Sequence, residues 1–244
     1  MEVFKSCGKC DNGIIRLDDN TVRECKCKTV WKKRQMLRIK LEKGNIPYID
    51  FIQDFDLKEG YKGKDRFMNI PKVLKYVNDY KRYRSESLYF YGANGTQKTT
   101  VASWIACQLL NQGYTVEYIT MKRLVDLLLP DYDRDRDSYK IVERLKRTDL
   151  LIIDEAFDKT KLAIYKSGYQ LSFLDDFIRN RMQRYGESTL FVSNVDIEDI
   201  VANGFSISLQ DLVKRSCTMN GAEFIFEDNY LDECSHFDIK SIFG

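Results

Sequence analysis

Gly92-Ala93-Asn94-Gly95-Thr96-Gln97-Lys98-Thr99-Thr100 brings two glycines, one lysine and three threonines into a single short stretch. That is equipment for holding a polyphosphate. Glycines let the backbone turn its N–H groups toward the anion, lysine neutralises charge, and a hydroxyl ligates magnesium. The spacing is nearly that of the G-x-x-x-x-G-K-[ST] phosphate loop, with Gln97 standing where the pattern has its second glycine. In this reading Lys98 reaches the β- and γ-phosphates and the Thr99 hydroxyl ligates Mg²⁺. Gly92, Asn94, Gly95, Thr96, Gln97 and Thr100 complete the loop. A second group follows about fifty residues downstream, where the apolar run Leu150-Leu151-Ile152-Ile153 ends in Asp154-Glu155. Such a run has the form of a buried parallel strand, whose C-terminal end is where an open α/β sheet presents ligand groups. Asp154 is then placed to hold magnesium, and Glu155 to orient and polarise an attacking water. The two segments predict binding of ATP with Mg²⁺, and its hydrolysis. The plainer alternatives are a strand-turn-helix with an incidental Lys-Thr pair, and a buried strand ending in solvated carboxylates.

Gln97 is the departure that matters. Glycine there permits close backbone approach and unusual dihedrals, which a side chain restricts. Gln97 fits if its backbone is close to helical, since it directly precedes a helix, with Gly95 supplying the flexibility instead. Weak hydrolysis is the expected consequence. A third polar group comes from Ser188-Thr189-Leu190-Phe191-Val192-Ser193-Asn194, a strand-like run ending in Ser193-Asn194. Asn194 can bond the γ-phosphate or the attacking water, or it can be a turn residue, as asparagine often is where loops start.

The elements that must position these groups are legible in the hydrophobic periodicity. Ser87-Leu88-Tyr89-Phe90-Tyr91 reads as the strand feeding the loop, and Val101, Trp104, Ile105 and Leu109 as the helix leaving it, stopped by Gly113. Thr115–Thr120 reads as a second strand, with helices around Leu124–Leu129 and Ile141–Leu145 separated by a charged interruption at Pro130–Asp137. Phe157–Gly168 reads as a loop, and Leu171–Ile178 as another helix. Strands alternating with helices imply a parallel sheet with right-handed crossovers.

The N-terminus carries different chemistry. Cys7, Cys10, Cys25 and Cys27 form a C-x₂-C and C-x-C constellation around a hairpin-like segment, Ile14–Leu17 and Thr21–Arg23, with Asp18-Asp19-Asn20 as its turn. Four thiolates satisfy a tetrahedral Zn²⁺, and a module this small needs such a staple. Two disulfides or free thiols are the alternatives. Seven cysteines, an odd number, with Cys107, Cys217 and Cys234 scattered singly, weigh against disulfides. No apolar N-terminal segment resembles a signal peptide and no run reaches the length of a membrane span, so a reducing cytoplasm is expected.

At 244 residues and 43% hydrophobic, the chain has material for one sizeable α/β domain and a small appendage. The net charge of +2 is uneven: residues 1–44 hold twelve Lys/Arg against six Asp/Glu, or +6, leaving −4 for the remaining 200. Lys26–Lys43 therefore reads as a basic helix, with Trp31, Met36, Leu37 and Ile39 for apolar contacts. It could touch nucleic acid or an acidic protein surface, or be a solvated linker. From Gly44 to about Lys64 the chain reads as a connector, too aromatic at Tyr48, Phe51, Phe55 and Tyr61 to be a free tether. Val73, Leu74, Tyr76, Val77 and Tyr80 mark a helix before the first core strand.

The cysteine-paired N-terminus, the connector with Ile46-Pro47, the phosphate loop (Walker A), the Leu150–Glu155 segment (Walker B) and Asn194 together resemble bacterial and phage helicase loaders. These are the DnaC/DnaI-like AAA+ ATPases, related to the IstB transposition helpers. The resemblance implies a P-loop AAA+ domain over 66–244 with a parallel sheet flanked by helices and no C-terminal lid. A zinc-ribbon-like module over 1–30 and a basic helix and connector over 31–65 precede it. It implies Arg215, with Lys214 as the alternative, as an arginine finger acting on a neighbouring protomer, hence self-association. It further implies a hexameric replicative DNA helicase as partner and single-stranded DNA binding, with Lys122, Arg123, Lys146 and Arg147 the available cations. A transposition helper bound to duplex DNA and an ATP-gated adaptor with little hydrolysis are the competing roles.

Overall fold

A computed structural model describes residues 4–17, 21–62, 66–129, 136–162, 169–217 and 223–226. The chain begins with β1 (Ile14–Arg16) and β2 (Val22–Glu24), paired antiparallel with Ile15 opposite Arg23. The expected turn at 18–20 lies outside the described residues. The basic stretch forms α1 (Lys26–Lys43), which starts from an extended Cys25 and ends at Gly44. The helix runs onto the body: Leu41 is fully buried, Leu37 packs against the core, and Lys40 Nζ donates to the Leu110 carbonyl at 3.0 Å. Gly44 lies against the sheet, where its carbonyl accepts from the Tyr118 N–H at 2.8 Å. A Cβ at Gly44 would stand 2.5 Å from the Val116 carbonyl, so only glycine permits this approach.

The connector folds into two single-turn helices, α2 (Ile49–Ile52) and α3 (Leu57–Gly60), the second capped by the Asp56 carboxylate. Ile46, Ile52, Leu57 and Tyr61 enter the main core and Phe55 packs against it, whereas Tyr48 and Phe51 are exposed, so aliphatic residues hold this segment down more than the expected aromatic anchors do. The helix expected before the first core strand is two: α4 (Arg66–Asn78) and, after a break at Asp79, α5 (Tyr80–Tyr83).

Strands and helices then alternate: β3 (Leu88–Gly92), α6 (Lys98–Gln112), β4 (Val116–Thr120), α7 (Met121–Leu128), α8 (Arg136–Arg147), β5 (Leu150–Asp154), α9 (Tyr169–Arg179), β6 (Ser188–Ser193), α10 (Ile207–Ser216) and β7 (Glu223–Phe226). The five strands form one parallel sheet in the order β4-β5-β6-β3-β7. The strand feeding the phosphate loop is thus separated from the Walker B strand by β6, and all three ends open on one edge of the sheet. β5 is buried along its whole length, which is why it reads as an unbroken apolar run. β7 is a strand the sequence analysis does not identify. The absence of a C-terminal lid was expected of residues that include 227–244, which lie outside those described.

Between α9 and β6 the helix widens into a π-helical stretch, Asn180–Tyr185. Within it Arg181 is fully buried, donating to the carbonyls of Leu145 (2.7 Å), Thr148 (2.9 Å) and Ser188 and to Thr189 Oγ1 (3.1 Å). Burial pulls its guanidinium down to about 10. This one side chain satisfies the backbone where α8 ends and β5 and β6 begin. Arg181→Met keeps the apolar stem but orphans those carbonyls, and is expected to cost about 3–5 kcal/mol of stability. Urea unfolding followed by circular dichroism checks it, and a loss under about 1 kcal/mol would mean that water replaces the arginine.

Candidate nucleotide and metal sites

The phosphate loop and the ends of β5 and β6 enclose a cavity of about 390 Å³. Asn94 through Thr100 form one wall; Asp154, Glu155, Ser193 and Asn194 form the opposite side, with Tyr48 and Lys161 also lining it. Gly92 contributes from behind, through its carbonyl. Lys98 is 6% exposed, and its Nζ bonds the carbonyls of Gly92 (2.8 Å) and Ala93 (2.6 Å) and Thr96 Oγ1 (3.2 Å). Burial lowers this ammonium to about 8. The Asp154 carboxylate offsets part of that burial, and an anion entering the cavity would offset more.

Thr99 Oγ1 donates to Asp154 Oδ2 at 3.0 Å, so the two expected magnesium ligands are brought together across the sheet edge. The oxygen chemistry fits a hard cation. Asp154 Oδ2 also accepts from the Tyr118 hydroxyl at 2.6 Å, a residue the sequence analysis did not single out. Register explains the meeting: Tyr118 is two residues before Thr120, which pairs with Asp154 across β4 and β5. Burial, then the Asp154 charge, push the Tyr118 hydroxyl far above its ordinary range, so it stays a donor. Tyr118→Phe is expected to leave folding intact and raise the Mg²⁺ concentration needed for half-maximal turnover about tenfold, as loss of a partner behind a metal ligand does. A magnesium titration of the variant reads this, and an unchanged midpoint rejects it.

Glu155 has a left-handed backbone, φ +53, and its carboxylate faces Lys161 at 3.4 Å. Asn194 is exposed at the end of β6 and its Nδ2 donates to Asn94 Oδ1 at 2.9 Å, linking the third strand to the phosphate loop. Turn chemistry alone does not require that contact.

Gln97 departs from expectation. Its backbone is left-handed, φ +63 and ψ +14, and not near the right-handed helix. The loop therefore keeps the conformation that glycine ordinarily supplies and imposes it on a glutamine. Arg215 lies outside this cavity, exposed on α10 with its Nε on the Asp211 carbonyl at 3.1 Å. Lys214 pairs with Glu198. Lys122 pairs with Asp126, and Lys146 with Glu143.

At the other end of α1 the Sγ atoms of Cys7, Cys10, Cys25 and Cys27 all lie within 4.8 Å of one another. Three of the separations are 3.8, 3.7 and 3.4 Å. A tetrahedron of zinc–sulfur bonds of about 2.3 Å has sulfur–sulfur edges of about 3.8 Å. The cluster is thus compatible with zinc and is the one group of potential metal ligands of this kind among the described residues. β1 and β2 carry Cys25 back toward Cys7 and Cys10. Cys25 is the N-cap of α1 and Cys27 sits in its first turn, which holds no acidic residue. Among the described residues, no helix is long and apolar enough to cross a membrane.

A sequence profile for the IstB-like ATP-binding protein family matches residues 22–175. No curated protein matches the sequence. Among solved structures, the DnaC helicase loader superposes with a TM-score of 0.57 at 15% identity, over 73% of this chain and 98% of that one. DnaI does so with 0.53 at 17%, over 72% and 86%. The replication initiator DnaA bound to AMPPCP and single-stranded DNA gives 0.54 at 15%, over 76% and 56%. At these identities the likeness is one of fold, and that fold is AAA+-like.

Proposed function

This chain belongs to the IstB-like ATP-binding proteins, and from that premise we propose that it is an ATPase that loads a hexameric replicative helicase onto single-stranded DNA in a bacterial or phage-infected cell. The observation that carries the catalytic half is the convergence of Lys98, Thr99, Asp154, Glu155 and Asn194 on one cavity. Lys98 exchanges the loop carbonyls for phosphate oxygens, Glu155 orients and polarises water, and Asn194 holds that water or the γ-phosphate. Thr99 and Asp154 would hold Mg²⁺, which would supply neutralisation of charge on the phosphates. Zn²⁺ on the four cysteines supplies the cross-link that a module of two three-residue strands cannot obtain from burial.

In this proposal residues 1–30 are a zinc-binding module, 31–65 a basic helix and connector, and 66–244 the ATPase domain. The first region, with α1, engages the helicase. Arg215 serves a neighbouring protomer, consistent with its position outside its own cavity. The family match also favours a second reading, a transposition helper on duplex DNA in the manner of IstB. Size-exclusion chromatography with light scattering, mixing the protein with its host's replicative helicase with and without a non-hydrolysable ATP analogue, separates the two. A stable complex is expected. Its absence under both conditions, with duplex DNA bound instead, replaces the loader by the transposition helper.

A further inference from the structure

Gln97 holds more than its own loop. Its amide Nε2 donates to the Gly60 carbonyl at 3.1 Å, and its Oε1 accepts from the Lys62 N–H at 3.1 Å. Both polar atoms of the carboxamide are used, each on the backbone of the connector, in the donor–acceptor pairing that one strand offers another. Gly60 lies close under the Phe55 ring, which would have to shift to admit a Cβ there. Next to it, Tyr61 is buried in the main core. The connector meets the nucleotide cavity a second time at Tyr48, whose left-handed backbone, φ +62, sets its side chain in the cavity lining. Two residues with left-handed backbones, Tyr48 on the connector and Gln97 on the loop, thus line the same cavity.

We infer that Gln97 is a positioning residue that couples nucleotide binding to docking of the 57–62 segment, so that each stabilises the other. A glycine at this position satisfies the left-handed backbone without cost but reaches nothing. The glutamine accepts the unfavourable conformation and uses its side chain to tie the phosphate loop to the chain that descends from α1. When phosphates fix the loop's backbone they also fix the carboxamide, and the two hydrogen bonds to Gly60 and Lys62 are held with it. Reciprocity follows from linkage: whatever pulls the connector away weakens nucleotide binding by the same factor. The departure from the phosphate-loop pattern is on this account a working part and no defect.

The inference rests on the cavity being a nucleotide site, and hydrogen–deuterium exchange on the full-length protein separates the two claims. A non-hydrolysable ATP analogue with Mg²⁺ is expected to slow exchange of the Lys62 amide and its neighbours at least tenfold in the wild type. At a saturating concentration of the analogue, the 57–62 segment of Gln97→Gly should cease to respond, because a glycine keeps the left-handed backbone but has no side chain to reach the connector. Gln97→Met keeps the bulk and the strained backbone without the hydrogen bonds. It should lose both the response and about tenfold in affinity. Connector protection that responds equally in Gln97→Gly, or not at all in the wild type although the analogue binds, overturns the coupling. Failure of the wild type to bind the analogue overturns the nucleotide reading and the coupling with it.

Discussion

Replacing Glu155 with glutamine is expected to lower ATP turnover by about 100-fold or more while leaving nucleotide affinity close to wild type, the range seen when a transition-state stabilising group is removed. The carboxamide has the same shape and keeps one oxygen toward the cavity, so the site stays assembled. It carries no negative charge and is a far poorer base, so the attacking water is no longer polarised. Asp154, one residue earlier, behaves differently, because its Oδ2 already binds the Thr99 and Tyr118 hydroxyls and its loss disturbs the magnesium ligands. The variant also releases Lys161, whose ammonium faces Glu155 at 3.4 Å. Single-turnover hydrolysis alongside equilibrium binding of a fluorescent ATP analogue distinguishes chemistry from affinity. Turnover within a few-fold of wild type would remove Glu155 from the chemistry.

Removing the proposed zinc, by a strong chelator or by Cys25→Ser, is expected to be the second large effect. The strands of the N-terminal hairpin are three residues each, and Ile14, Leu17 and Val22 are 42%, 40% and 65% exposed, so little apolar burial opposes unfolding once the cluster opens. Structural zinc in modules of this kind contributes on the order of 10–16 kcal/mol of apparent binding free energy, all of it folding energy. The expectation is loss of one zinc per chain and rapid proteolysis confined to the N-terminal segment. ATP binding should persist, because Leu41, Ile46 and Gly44 anchor the far end of α1 and its connector to the sheet independently of the cysteines. Metal analysis with mass-spectrometric mapping of the cuts tests this. A metal-free chain that stays protected over residues 4–25 contradicts it.

The chemistry of the nucleotide site could be read before any fold was known, because a phosphate loop is contiguous: strand, turn, lysine and helix are all set by neighbours in the chain. The Walker B strand was legible for a related reason, since a strand buried on both faces must be apolar throughout. The cysteine cluster was legible because two close pairs bring four sulfurs together with only a hairpin between them. Arg215 shows where this reasoning stops: it lies outside the cavity of its own chain, and the spacing of one chain carries no mark of whether an arginine serves another protomer.

What the tertiary structure alone decided are the contacts between residues far apart in sequence. Tyr118 reaches Asp154 because β4 and β5 pair in one register. Asn194 reaches Asn94 because β6 lies next to β3. Arg181 could be placed by no pattern, since an arginine buried on carbonyl groups looks in sequence like any surface arginine. Gln97 is the clearest case. The sequence marked it as an exception to a motif and suggested a helical backbone for it. The fold set it left-handed and gave its side chain the backbone of Gly60 and Lys62. Local spacing determines which groups are available for chemistry. Strand order, register and the path of the connector determine which distant groups they meet, because those contacts depend on long-range packing that no short window of sequence contains.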